Sequence, residues 1–244
     1  MKKYIPIVIL FLGVLVAIGA FFVLKGKNSQ NTPTDGSNQD ETVPEIALEK
    51  RPVVSLTPSA DGHYLKLEIQ KILIKADTLD YELTYKVPDG RTQGVPGTVK
   101  LTNTDNIVKD LLLGSESSGK FRYDEGVEGG NINITFRNQN GKSVAKFSTD
   151  FFLQTGKEQL NFTGGKLYSL DKLNNKTFYV SMNTIGYLGD SPSLPKESYG
   201  IFSSSLKGNS GILEGLDVYL WYKDNWMKIE NGKSQDVGFF IILT

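Results

Sequence analysis

The sequence predicts an all-β body behind a single apolar N-terminal helix, and three observations carry that prediction. Residues 4–24 (YIPIVILFLGVLVAIGAFFVL) are apolar except for Pro6, Gly13 and Gly19. Residues 28–43 (NSQNTPTDGSNQDETV) hold one apolar side chain, Val43. From residue 51 onward apolar and polar residues alternate at period two between turns rich in Gly, Asp and Asn. That is the pattern of antiparallel strands with one face in a core.

The apolar stretch comes first. At about 1.5 Å per residue a helix over 4–24 spans roughly 30 Å, the thickness of a bilayer's hydrocarbon core. A cleaved signal peptide has a shorter apolar region and a small-x-small cleavage site. Here Ala17-Ile18-Gly19 is followed by the apolar Ala20-Phe21-Phe22-Val23-Leu24 before the Lys25-Gly26-Lys27 stop, which fits an uncleaved anchor over 1–27. Lys2 and Lys3 nearly balance Lys25 and Lys27 in the positive-inside comparison. The layout of a short basic N-terminus, one apolar helix and a large polar body selects an N-terminus inside and a body outside. A pilin-type helix carries an early glutamate, and the first acid here is Asp35.

Residues 28–50 form the second element. They carry Asp35, Asp40, Glu41, Glu45 and Glu49 against Lys50. Their polar side chains bury too little surface to offset ordering entropy, which predicts a disordered tether. As a coil, the 28–43 tract spans roughly 20–25 Å.

The body divides into two expected pieces, 51–155 and 156–244. In the first, Leu65, Leu67 and Ile69 alternate with Lys66, Glu68 and Gln70, and Leu79–Val87 alternates for nine positions before Pro88-Asp89-Gly90. Looser repeats follow in 107–113, 120–123, 132–137 and 144–153. This size and rhythm match an immunoglobulin-like sandwich, without the Cys–Trp–Cys core of antibody domains, since the chain has no cysteine. In 156–244 a bridge with a short strand leads to strands over 177–182, 201–205, 213–222, 226–230 and 237–243, a smaller β domain. Lys223-Asp224-Asn225 makes a hairpin between the last aromatic strands.

Composition excludes several functions. Without cysteine there are no disulfides or thiolate metal sites, and the single histidine leaves little room for imidazole zinc sites or a serine–histidine triad. Residues 51–244 balance 22 basic with 22 acidic residues, against the clustered basic surplus of a nucleic-acid binder. Gly114-Ser115-Glu116-Ser117-Ser118-Gly119-Lys120 matches seven P-loop positions, but Phe121 stands where Ser or Thr would hold magnesium. An alternating strand follows where a helix is needed, so the segment reads as a hairpin loop. Ser117 and Lys120 have serine-acylase spacing, which recurs at Ser143, Ser169, Ser193 and Ser204 without the further elements of that chemistry. Asp124, Glu125 and Glu128 lack an EF-hand repeat and read as a solvated turn. His63 reads as a turn residue. No cofactor, metal or catalytic residue is predicted. Asn133, Asn161 and Asn175 begin glycosylation sequons.

The remaining candidates are aromatic. Tyr219, Trp221 and Trp226 on the last hairpin are the candidate ligand or partner contacts, because flat rings bury large areas with few rotatable bonds. The plan of anchor, tether and sandwich resembles that of many membrane-anchored surface proteins of bacteria. The expected function is a membrane-anchored, extracytoplasmic, non-enzymatic binding or structural protein of the cell envelope. Its partners would be the membrane through residues 4–24 and an envelope protein or glycan. The alternative is a carbohydrate-active envelope enzyme with a carboxylate pair.

Overall fold

A computed structural model describes residues 45–102 and 106–243, and they are all-β: 18 strands, two short 3-10 turns and no α-helix. None of the helices among the described residues is long and apolar enough to cross a membrane. The expected anchor and residues 28–44 of the expected tether lie outside them. Residues 45–50, expected as the end of that disordered tether, instead pack on the body, with a 3-10 turn over Leu48–Lys50 and Ile46 and Leu48 against its apolar clusters.

The first nine strands are β1 (Val53–Pro58), β2 (Tyr64–Gln70), β3 (Thr78–Lys86), β4 (Thr92–Lys100), β5 (Asn106–Leu112), β6 (Gly114–Ser117), β7 (Lys120–Tyr123), β8 (Gly129–Arg137) and β9 (Ser143–Gln154). The next five are β10 (Gln159–Asn161), β11 (Leu167–Leu170), β12 (Tyr179–Asn183), β13 (Glu197–Ser203) and β14 (Gly211–Leu213). The last four are β15 (Val218–Tyr222), β16 (Asn225–Lys228), β17 (Lys233–Ser234) and β18 (Phe239–Ile242).

One nine-stranded antiparallel sheet, in the order β16-β15-β18-β13-β12-β9-β8-β3-β4, runs through both expected pieces of the body. The link is β12, whose Tyr179–Met182 pairs with Gln154–Phe151 of β9. Two smaller sheets, β1-β2-β5 and β10-β11-β14-β17, cover it. Strand parity tells which face each takes. Val180 and Met182 join a core with Leu56, Leu67, Ile107, Leu83 and Phe136, whereas Tyr179 joins one with Leu160, Tyr168, Leu213 and Phe240. Neighbouring residues of a strand point to opposite faces, so the small sheets lie on opposite sides of the large one. At β12 and β13 both faces are therefore covered, and nearly every residue there is buried. These strands do not alternate in sequence because neither face meets water.

The other strands follow the expected pattern with local differences. β3 keeps Leu79, Leu83 and Tyr85 in the core. β4, absent from the expected strands, contains Gly94, Pro96 and Gly97 and is the sheet's outer strand, where proline is tolerated. The expected strand over 213–222 is two, β14 and β15, separated by Gly215 and by Asp217 at φ 48°. The hairpin between β15 and β16 turns through Lys223 and Asp224 at φ 47° and 60°, the left-handed pair of a type I′ turn.

Candidate functional site

The strongest surface constellation is built on the β6–β7 hairpin. Its turn is Ser118-Gly119, at φ 51° and 76°, with Ser117 paired to Lys120, so the P-loop-like segment is a hairpin loop. On β7, Phe121 and Tyr123 are two apart and share a face. Their rings stack at 6.2 Å between centroids and 9° between planes. Tyr123 then stacks on His63 at 4.1 Å and 7°, and Tyr64 meets Tyr123 edge-on at 6.3 Å. The result is a ladder of three near-parallel rings with Phe121 47% exposed and Tyr123 38% exposed.

The base of the ladder is fixed. The Ser59 hydroxyl donates to Asp61 Oδ1 at 2.6 Å and the His63 amide donates to the same oxygen at 3.1 Å, a local turn that sets the imidazole's position. The Ser59 bond is the main reason that the Asp61 carboxyl lies below its ordinary pKa, and the His63 amide adds to it. Asp61 Oδ2 lies 3.3 Å from His63 Nδ1, and Glu125 Oε1 lies 3.2 Å from Nε2. Below the hairpin, Leu113 donates its amide to the His63 carbonyl and Asp124 donates its own to the Leu113 carbonyl, at 2.8 and 2.9 Å. The Tyr85 hydroxyl donates to Asp124 Oδ2 at 3.0 Å. Burial, then the Asp124 carboxylate, pushes the Tyr85 phenol well above its ordinary pKa.

Beside the ladder lies a depression of about 260 Å³ lined by Asp61, Asp124, Glu125, Glu128 and Lys157, among others. Three of its acids are already engaged, Asp61 with Ser59 and the His63 amide, Asp124 with Tyr85 and Glu125 with His63. Among the described residues no three His, Cys, Asp or Glu side chains gather to hold a metal.

Tyr219, Trp221 and Trp226 share one face of the β15–β16 hairpin, where Trp221 and Trp226 are opposite each other and meet edge-on at 5.1 Å. All three are half-buried. Tyr219 and Trp226 pack around Tyr187, Ile241 and Leu243. Trp226 Nε1 donates to the Leu188 carbonyl at 2.8 Å. Trp221 lies so close to Gly189 that a Cβ there would meet its ring at 2.4 Å. The most exposed side chains of this hairpin's apolar residues are instead Tyr222 and Met227, each 49% exposed.

Sequence reasoning missed the ladder. Phe121-Arg122-Tyr123 announces two rings on one face of a strand, but the third ring, His63, is brought by the fold from 60 residues away on β7's neighbour turn. Compared with protein-family models and with curated proteins, the chain matches none.

Proposed function

We propose that this chain is a membrane-anchored, extracytoplasmic, non-enzymatic binding protein of the cell envelope. Residues 4–24 anchor it, residues 28–44 space it from the bilayer, and the β body recognises a glycan. The first part of the body is an immunoglobulin-like sandwich. The support is strand order: β1-β2-β5 facing β4-β3-β8-β9 corresponds to A-B-E facing C′-C-F-G.

The observation that carries the binding reading is the ladder. An exposed stack of flat rings on a hairpin fixed at both ends binds without first ordering itself, which lowers the entropic cost of association. Its outward ring face suits the apolar face of a sugar ring, and Glu116, paired across the hairpin with Phe121 and so on the same face, offers a partner for hydroxyls. The half-buried Tyr219, Trp221 and Trp226 are a secondary contact surface in this reading.

The test is retention of the full chain, in detergent, on insoluble neutral cell-wall polysaccharide. A Phe121→Ala/Tyr123→Ala variant is expected to lose at least about tenfold in affinity, on the order of 1.4 kcal/mol, with an unchanged melting temperature. Undiminished retention of that variant contradicts the reading. Release of reducing sugar in the same incubation would favour the enzymatic alternative, which needs two carboxyls about 5–10 Å apart.

A further inference from the structure

The long strand β9 pairs with β8 along its length but with β12 only through Phe151–Gln154. Beyond Phe151 the two partners part. β9 stays with β8 back to Ser143, while β12 runs on into Asn183, Thr184 and Ile185. The notch between them holds a cavity of about 580 Å³, within the usual size of small-molecule sites. Thr149 bridges the parting strands by donating its hydroxyl to the Asn183 carbonyl at 2.7 Å. Glu45, Ile46, Leu48 and Arg51, with residues 196–198, complete the wall.

The chemistry of the wall is specific. Ile46, Leu48, Ala145, Phe147 and Ile185 give it an apolar part. Of its charged groups, Arg51 is engaged by Glu45 at 3.5 Å and by the Ile46 carbonyl at 2.7 Å. Glu197 is engaged by the Tyr199 hydroxyl at 2.8 Å and by Lys166 at 3.4 Å. Lys146 and Lys196 are exposed and, among the described residues, form no ion pair, although the Lys196 charge helps hold the Glu197 carboxyl below its ordinary pKa; three cations against Glu45 and Glu197 leave the net charge of the notch positive. Asn183 Oδ1 is buried with no hydrogen-bond partner, and a buried acceptor left unpaired is costly.

We propose that this notch is a second binding site, specific for an acidic sugar such as a hexuronic acid residue of a glycan. The carboxylate meets the Lys146 and Lys196 ammonium groups, and a sugar hydroxyl donates to Asn183 Oδ1. An amide side chain carries one acceptor and a pair of donors, which matches adjacent sugar hydroxyls better than it matches a simple carboxylate. The site goes beyond the aromatic ladder, which has no uncommitted cation pair and takes neutral ring faces.

The experiment is calorimetric titration of the full chain in detergent with a tetrasaccharide containing glucuronic acid, and with the same tetrasaccharide after reduction of its carboxyls to alcohols. The acidic form is expected to bind at least about tenfold more tightly than the reduced one, and salt is expected to weaken only the acidic form. A Lys146→Gln/Lys196→Gln variant, altered only at exposed positions, is expected to lose that difference without a change in melting temperature. The Phe121→Ala/Tyr123→Ala variant is expected to keep it. Equal binding of the two tetrasaccharides, or a preference that survives loss of both lysines, overturns the proposal. Neither result touches the ladder, which is read out on neutral polysaccharide.

Discussion

Asp80, near the start of β3, takes a hydrogen bond from each neighbouring strand. Thr98 on β4 donates to Oδ1 at 2.8 Å, and Arg137 on β8 donates to Oδ2 at 2.5 Å. Partial burial pushes the carboxyl's pKa up, but the Arg137 and Thr98 bonds outweigh it, and the net value lies below the ordinary carboxylate range. Because the folded carboxyl holds its proton less tightly than the unfolded one, its contribution to stability is fully present above about pH 4 and is lost as pH falls through the lower folded value. The pair is partly exposed, so solvent screens it, and Asp80→Asn is expected to cost about 1 kcal/mol at neutral pH. Denaturant melts at neutral pH and in strong acid check this: the gap between wild type and variant should close in acid, and a gap that persists contradicts the assignment. No such side-chain pairing is visible in the sequence, because Asp80, Thr98 and Arg137 become neighbours only through strand register. His63 is the same case. Its place in a turn after Asp61-Gly62 is legible, whereas its ring partner Tyr123 is set by the way that β5 returns alongside β2 and delivers the following hairpin to the turn.

At the scale of elements, legibility tracks exposure. β3 alternates because one face meets water, and its limits are read almost to the residue from Leu79–Val87 and the Pro88-Asp89-Gly90 turn. β4 is hidden by its glycines and proline. One of those glycines has a packing role, since a Cβ on Gly97 would meet the Tyr81 ring at 2.2 Å, so the tyrosine lies over the space that glycine leaves. Gly130 on β8 is more constrained. A Cβ there would come within 2.0 Å of the Thr84 carbonyl oxygen of β3, backbone that cannot swing aside as a side chain does. Gly130→Ala is therefore expected to destabilise by about 1–3 kcal/mol, as other overpacking substitutions do, and Gly90→Ala to act only through its own φ of 86°, with open space around it. Thermal melts of the two variants check the order. A Gly130→Ala protein as stable as the wild type would mean that β3 and β8 do not approach as described.

The whole body is tied together by β12, which pairs with β9 on one side and β13 on the other and contributes to a core on each face. Met182 is fully buried, and Met182→Ala is expected to cost about 2–5 kcal/mol. Circular dichroism sees all strands, whereas fluorescence reports from Trp221 and Trp226 alone. Both probes should melt in one transition and shift together in the variant, and two separate transitions would contradict a shared sheet. Period-two alternation between Gly-, Asp- and Asn-rich turns made the all-β class legible, but the joining of 51–155 to 156–244 was not, because a strand covered on both faces loses the alternation that marks it. The functional account rests on a body exported and held at the membrane by residues 4–24. The most direct measurement of that claim is protease digestion of a C-terminal tag on intact cells, any outer membrane having been permeabilised beforehand, with lysed cells as control. The account predicts that the tag is removed from intact cells. A tag protected until the inner membrane is broken would contradict it.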